Sequence, residues 1–271
     1  MDDGGRRVTT LPAAKPYTYA TPAPPEPTAP RAARLPGMVD HPAESQPSDP
    51  AADDRFRALL RTLRVWDCVL PAIDPDPAHA PAHPLPLFRQ WLREAADAGV
   101  PEPHTMTLAT ADASGDPNVR TVMLHDADAR GWHFATHRDS RKGRELAARP
   151  RAALGFYWPA LGRQVRVRGH VTEAGPEESA ADLHRRSTGA LAAALVGHQS
   201  ETLTSYAELE RASEAAWERA QQEPDAPVPS WTLYVLDPDE VEFFQGDARR
   251  RHVRINYRKD GEGWARELLW P

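Results

Sequence analysis

Residues 105–136, TMTLATADASGDPNVRTVMLHDADARGWHFAT, decide the fold class because the spacing of their apolar residues is that of strands. Three segments favour β-structure, at 105–111, 118–125 and 131–136. The turn-like residues 114–117 (SGDP) and 126–131 separate them. The stretch therefore predicts a β-meander.

Strand character returns after a short helix predicted at 140–148, in the segments 153–158 and 164–172. The second of these alternates regularly: Val165, Val167 and Val171 fall on one face, and Gln164, Arg166, Arg168 and His170 on the other. A helical stretch follows at 176–222, in which Ser205 and Glu208 have the spacing of a capping box.

The C-terminal part of the sequence predicts a closing set of strands, at 231–236, 241–245, 252–257 and 264–269. Strands are thus followed by helices and then by strands again, without regular βαβ alternation. This order predicts an α+β barrel and argues against a doubly wound nucleotide-binding fold.

The N-terminal part is of a different kind. Of the 28 prolines, 11 lie in the first 50 residues, where missing N–H donors oppose both helix and sheet. We therefore expect residues 1–52 to be a disordered Pro/Ala-rich arm, or an arm that orders over a ligand or partner through Tyr17 and Tyr19. Residues 53–271 form the predicted folded domain. It begins with two short amphipathic helices, whose apolar positions are Phe56, Leu59, Leu60 and Leu63, then Leu87, Phe88, Trp91, Leu92 and Ala95.

Composition restricts the class of protein. The chain has 271 residues, 40% of them hydrophobic, and a formal net charge of −6, which gives no general reason to expect nucleic acid or an anionic membrane as a partner. Cys68 is the single cysteine, so one chain can form no internal disulfide. We find no signal peptide or membrane span and expect a cytoplasmic location.

The common catalytic motifs are absent: no Gly-rich phosphate loop, Gly-x-Ser-x-Gly elbow or His-Glu-x-x-His pair occurs. The 11 histidines are scattered, so no metal site is predicted. Basic and amide residues instead recur on or beside the strands, and each group alone could be a solvated surface. Cations at the start of the helix predicted at 140–148 would also suit a phosphate, because helix N–H groups and the helix dipole favour an anion there.

Several of these segments, taken in order, resemble the pyridoxamine 5′-phosphate oxidase family. They are RTVML at 120–124, FAT at 134–136, SRK at 140–142, GRQV at 162–165, QS at 199–200, EFFQG at 242–246 and RRHVR at 250–254. The resemblance covers about residue 85 to the C-terminus. It implies an FMN-binding split β-barrel with flanking helices, active as a homodimer in which each flavin lies between two subunits.

The resemblance also implies the cofactor contacts. Arg120, Arg141 and Lys142 would bind the FMN phosphate, with Thr136 and Ser200 as supporting hydroxyls. Gln164, Gln199 and Arg254 would address the polar flavin ring, and a cation at that edge stabilises the reduced flavin. The remaining cofactor positions implied are Thr121, Val122, Met123, Leu124, Ala135 and Phe244.

Arg250 and His252 would be the catalytic residues, since the resemblance puts them over the substrate ring. They would orient the substrate C4′ carbon against flavin N5 for hydride transfer, with O2 as the final acceptor and hydrogen peroxide as product. The resemblance also implies that Arg251 is one of the substrate-binding residues.

The substrate-phosphate positions depart from the family pattern. His125 stands where the family has lysine, and Asp182, Arg186 and Ala190 stand where it has tyrosine, arginine and serine. Phe244 replaces a tryptophan beside the flavin. Each change at His125, Asp182 and Ala190 weakens a site for a dianion.

Three functions remain open. The first is oxidation of pyridoxine or pyridoxamine 5′-phosphate. The second resembles the phenazine-biosynthesis flavin oxidases, which oxidise a reduced heterocycle without a phosphate. The third is a non-enzymatic split-barrel protein that binds flavin, haem or pyridoxal phosphate, against which the retained Arg250 and His252 argue.

Overall fold

The computed structural model describes residues 50–66 and 69–271. The arm predicted at 1–52 therefore lies almost entirely outside the described residues, as does Cys68. The last three residues of the predicted arm are described, and they belong to the first helix, which begins at Pro50. Proline suits the first turn of a helix, where its missing N–H would have no partner.

The described chain contains six helices and nine strands. The helices are α1 (Pro50–Thr62), α2 (Pro84–Asp97), α3 (Arg141–Ala148), α4 (Pro176–His184), α5 (Thr188–Val196) and α6 (Tyr206–Gln222). The strands are β1 (Thr105–Ala111), β2 (Pro117–Met123), β3 (Asp126–Asp128), β4 (Gly131–His137), β5 (Arg151–Trp158), β6 (Arg163–Glu173), β7 (Trp231–Gln245), β8 (Val253–Asp260) and β9 (Gly263–Leu268). None of the helices in these ranges is long and apolar enough to cross a membrane.

All nine strands pair antiparallel in one sheet, in the order β2-β1-β5-β6-β7-β4-β3, with β8 on β7 and β9 on β8. Strand β7 connects its parts. It pairs with β6 over nearly its whole length, with β4 through residues 231–236, and with β8 through residues 240–245. The sheet curls around an aromatic core, into which α2 inserts Phe88 and Trp91. The architecture is the predicted α+β split barrel.

Local patterns explain much of this. The predicted buried face of β6 is confirmed, since Val165, Val167 and Val171 are buried. Ser205 caps α6 by accepting a hydrogen bond from the Glu208 backbone N–H at 3.2 Å. The Glu208 carboxylate, however, accepts from the Thr204 hydroxyl, so the other half of the predicted capping box is not formed.

Three predictions of secondary structure were wrong. The segments 231–236 and 241–245 are one strand, because a bulge opposite Gly169 accommodates Pro238 without interrupting the pairing of β6 with β7. The turn predicted at 126–131 contains the short strand β3. The helical stretch at 176–222 is three helices, and Gly197, at a φ of 66°, follows the second.

The bulge leaves no room for a side chain at Gly169 on β6. A Cβ at this position would lie 1.9 Å from the Asp237 carbonyl oxygen. We expect Gly169→Ala to lower the free energy of unfolding by about 1–3 kcal/mol, because the two strands must separate. Urea denaturation measures this. Gly155→Ala on β5 is the control, since its Cβ would meet only Thr107 at 3.8 Å; equal midpoints for both variants would contradict the prediction.

Candidate active site

The first group of predicted site residues meets at the start of α3. We call it the α3 cradle: Arg120 on β2, Thr136 on β4, Arg141 and Lys142 on α3, and Gln199 and Ser200 in the α5–α6 loop. Lys142 Nζ donates to Thr136 Oγ1 at 3.1 Å and to Gln199 Oε1 at 2.9 Å. The Arg141 backbone N–H donates to Ser200 Oγ at 3.1 Å. Arg120, Arg141, Lys142 and Ser200 line a cavity of about 350 Å³.

Lys142 is buried in the cradle and forms no ion pair with a carboxylate of the described residues, although the charge of Glu145 acts on it from a distance. Burial, and then the charge of Arg120, lowers its pKa to about 8. Its hydrogen-bond partners are a hydroxyl and an amide, and within the described ranges no carboxylate lies at ion-pair distance from Nζ. A buried cation without a charged partner is costly, so this arrangement favours binding of an anion.

Arg120 is held in place by Glu145 from α3. Arg120 Nη2 lies 2.9 Å from Glu145 Oε2, and Nη1 also donates to Thr110 Oγ1. Burial alone would raise the pKa of Glu145, but hydrogen bonds from Thr110, Asn118 and Arg120 hold it below its usual value. This carboxylate therefore stays ionised and compensates the charge of the partly buried Arg120.

The second group of predicted residues lies where β6, β7 and β8 run side by side. Gln164, Phe244 and Arg254 occupy neighbouring cross-strand positions. Arg254 Nε and Nη2 each donate to the buried Glu242 carboxylate at 2.9 Å. Hydrogen bonds to Glu242 raise the pKa of Arg254, which keeps the guanidinium charged and fixed in direction.

His252 belongs to this second group. Its Nδ1 accepts a hydrogen bond from the Asp247 backbone N–H at 3.1 Å, so a neutral ring carries its proton on Nε2. The ring lies 5.1 Å from the Phe244 ring. Arg250, in the same loop, is exposed and has a φ of 65°, a left-handed conformation that only a tight turn imposes on arginine.

The two groups lie at opposite ends of β7. Thr136 in the cradle pairs with Thr232 near the start of this strand, whereas Gln164 pairs with Phe244 near its end. Twelve residues of extended strand span about 40 Å. The residues predicted for one cofactor site are therefore separated within a single chain.

A third group consists of the predicted substrate-phosphate positions. His125, Asp182, Arg186 and Ala190 all line one cavity of about 800 Å³. The Asp182 carboxylate is buried there, 3.0 Å from His125 Nδ1, and accepts from Arg186 Nη2 at 3.2 Å and from Trp231 Nε1 at 3.4 Å. Although burial raises its pKa, hydrogen bonds from His125 and Arg186 lower it far more, so Asp182 is ionised.

The sequence did not predict several residues of these groups. Trp66 packs against His252 at 5.2 Å and Phe244 at 6.2 Å, and its buried indole N–H has no acceptor in the described chain. Nothing in the local pattern around Trp66 indicates this contact. For Glu145 the sequence contained a weak indication of a role at this site, because Glu145 lies about one turn after Arg141 and Lys142 on the same predicted helix.

The structure also brings together a cluster of three possible metal ligands that the sequence did not indicate. Ligand atoms of Asp126, Asp128 and His133 lie within 4.8 Å of one another. Asp128 Oδ1 is 2.9 Å from His133 Nε2, and Asp128 also pairs with Arg130. Asp128 thus has partners within the chain, and Asp126 accepts a hydrogen bond from the Ala127 backbone N–H at 2.7 Å.

Comparison with protein families agrees with this geometry. Residues 92–220 match the family described as pyridoxamine 5′-phosphate oxidase, and residues 231–271 match the pyridoxine 5′-phosphate oxidase C-terminal dimerisation region. The relative from Pseudomonas paraeruginosa named pyridoxine/pyridoxamine 5′-phosphate oxidase is 44% identical over 72% of this chain and 91% of its own length. A relative of the same name from Thermosynechococcus vestitus is 46% identical over 69% of this chain and 89% of its own.

Solved structures lead to the same family. The crystal structure of PhzG from Burkholderia lata in complex with tetrahydrophenazine-1-carboxylic acid has a TM-score of 0.69 and 30% identity, covering 74% of this chain and 99% of that one. A pyridoxamine 5′-phosphate oxidase-related, FMN-binding protein from Nostoc punctiforme shares the fold at 20% identity and a TM-score of 0.58, covering 68% of this chain and 97% of that one. Identity above 40% over nine-tenths of a relative establishes kinship, and the chain belongs to the pyridoxamine 5′-phosphate oxidase family.

Proposed function

We propose that this chain binds FMN without a covalent link and oxidises a small reduced substrate, passing the electrons to O2 as hydrogen peroxide. The observation that carries the proposal is the buried ammonium group of Lys142, which lies beside Arg120 and lacks a carboxylate partner in the described chain. Such a site suits a phosphate group, which is dianionic and offers several acceptor oxygens.

The α3 cradle would hold the phosphate. Lys142 and Arg120 supply charge, and the exposed Arg141 can close over the anion from the first turn of α3. Ser200 and Thr136 supply hydroxyl groups. The edge strand β2 pairs only with β1 among the described strands, so alternate backbone groups from Thr121 to Met123 could reach the cofactor, whereas the Leu124 N–H already donates to the His104 carbonyl oxygen. Ala135, next to Thr136 on β4, would flank it.

The flavin ring would lie between two copies of the chain. Gln164, Phe244 and Arg254 are too far from the cradle along β7 to contact the same FMN in one subunit. A second, symmetry-related copy would bring them there, and the match of residues 231–271 to a dimerisation region supports this. Gln199, expected at the ring, lies instead in the cradle, where its amide can still join the phosphate contacts.

FMN bound in this way would supply hydride acceptance at N5 and electron transfer to O2. Arg254, held by Glu242, would present a fixed positive charge to the polar edge of the ring. His252 would offer its Nε2–H, and Arg250 its guanidinium, to polar groups of the substrate. Trp66 would wall the same space and exclude water from it.

Two substrate classes follow from the relatives. The sequence relatives are named as oxidases of pyridoxine or pyridoxamine 5′-phosphate, which makes these compounds the first candidate substrates. A reduced heterocycle without a phosphate is the second candidate, which the carboxylate of Asp182 in the third cavity favours. Arg250 and His252 are both retained, which argues against a purely ligand-carrying protein. A cytoplasmic location stays a prediction from the single cysteine.

We expect FMN to co-purify and to be released intact by acid. Arg141→Ala and Lys142→Ala should each weaken FMN binding by about 1.5–3 kcal/mol, because each removes a charge-assisted contact. Fluorescence titration of the apoprotein with FMN measures this. Lys259→Ala, which removes an exposed lysine on β8 paired with Asp237, is the control. A colourless protein that cannot be reconstituted would contradict the flavin proposal, and unchanged affinity in both variants would contradict the role of the cradle.

FMN affinity should also depend on pH through Lys142. Its pKa of about 8 in the free protein lies below the usual 10.5, so the ammonium form is lost as the pH rises through 8. Affinity should therefore be nearly constant from pH 7 to 8 and then fall, by up to about tenfold per pH unit. Lys142→Arg, which stays protonated, should flatten this profile. The same fall in the arginine variant would show that another group titrates.

The two-copy site can be tested by mixing subunits. The protein should sediment at twice the chain mass of 30.0 kDa. Lys142→Ala and Arg254→Ala should each impair flavin binding alone, but their heterodimer should contain one site with both residues intact. After exchange at random, about a quarter of the sites should recover. A monomer that keeps FMN, or no recovery despite demonstrated exchange, would contradict the composite site.

A further inference from the structure

The cavity between β2, β4 and α4 contains a feature that the family resemblance does not account for. The buried Asp182 carboxylate receives hydrogen bonds from Arg186 and Trp231 and pairs with His125. The His125 and Asp182 side chains are only 6% and 7% exposed. His125 and Arg186, two groups of this cavity that could hold an anion, are thus already paired with the chain's own carboxylate.

The other charges around the cavity are also balanced. Arg130 donates to Glu178 at 2.7 Å and also pairs with Asp128. The lining contains three arginines, Arg130, Arg185 and Arg186, against three carboxylates, Asp126, Glu178 and Asp182. The cavity therefore has no excess of positive charge, in contrast to the α3 cradle, where Lys142 has no ion-pair partner among the described residues.

We infer that Asp182 acts as a built-in counter-ion in place of a substrate phosphate, so that this enzyme acts on a reduced nitrogen heterocycle that has no phosphate ester. The inference rests on the proposed flavin oxidase function and specifies its substrate. A phosphate entering here would have to displace Asp182 from His125 and Arg186, and would leave a buried carboxylate beside a dianion. A neutral substituent would neither displace Asp182 from its partners nor place a second anion beside it.

The remaining lining suits such a substrate. Met123, Ala181, Ala190 and Leu233 provide apolar surface, and the volume of about 800 Å³ is in the range of small-molecule sites. Ala190 offers no hydroxyl where the family has a serine. Arg185, which is exposed at this cavity, remains available for a singly charged group but does not by itself make a dianion site.

The test compares two ligands that differ only in the phosphate, pyridoxine 5′-phosphate and pyridoxine. Their dissociation constants for the FMN-loaded protein are measured anaerobically by calorimetry, which detects binding whether or not the flavin is reduced. Asp182→Asn keeps the shape of the side chain but removes its charge, which frees His125 and Arg186. We expect this variant to bind pyridoxine 5′-phosphate at least tenfold more tightly than the native protein does, with little change for pyridoxine.

Asp237→Asn is the control, because it removes an exposed carboxylate that pairs with Lys259 and does not line the cavity. It should leave both dissociation constants unchanged. If Asp182→Asn does not fold, the combination His125→Lys, Asp182→Tyr and Ala190→Ser provides the same comparison. Low-micromolar binding of pyridoxine 5′-phosphate by the native protein, or no gain in the variant that folds, would overturn the inference. Failure to bind FMN would instead contradict the proposed function. The FMN titration of the native protein and of the α3 cradle variants tests that separately.

Discussion

The pairing of β7 with three other strands is the constraint on which the structure depends. This strand joins β6, β4 and β8 into one sheet, and the bulge at Gly169 lets it continue past Pro238. Because the strand is long, it also determines where the functional residues lie. The α3 cradle is near its start, and Gln164, Phe244 and Arg254 are near its end. A flavin site that uses both must therefore be built from two chains.

Buried charge distinguishes the two cavities that matter for function. In the α3 cradle, Glu145 pairs with Arg120, and Lys142 forms no ion pair with a carboxylate in the part of the chain that the structure describes. In the cavity at α4, Asp182 compensates His125 and Arg186 within the chain. The first arrangement favours an external anion and the second does not. The α3 cradle thus keeps the charges that the family resemblance implies for a cofactor phosphate, whereas the cavity at α4 departs from those implied for a substrate phosphate.

The sequence predicted the parts of the fold that local patterns control. Strand β1 was predicted with its exact bounds and the faces of β6 were predicted correctly, because alternation of apolar and polar residues reports directly on a half-buried strand. Strand β7 was divided wrongly, since Pro238 normally excludes a residue from a continuous strand and only its partner Gly169 makes it tolerable. The three helices were merged because their polar connections carry no strong stop signal except Gly197.

The sequence named candidate site residues whose roles stay predictions, but it did not predict how they are arranged. The resemblance identified His125, Asp182, Arg186 and Ala190 as one group, and they do line one cavity. It could not show that Asp182 pairs with His125, 57 residues away, because no local pattern encodes a contact over that separation. Trp66 was missed for the same reason. The most direct test of the central claim, that two chains together form the flavin site, is a crystal structure of the FMN-loaded protein. We expect the flavin phosphate within hydrogen-bond distance of Lys142 Nζ and the flavin ring against Arg254 of a second copy. A flavin bound entirely by one chain, or a phosphate bound away from Lys142, would contradict it.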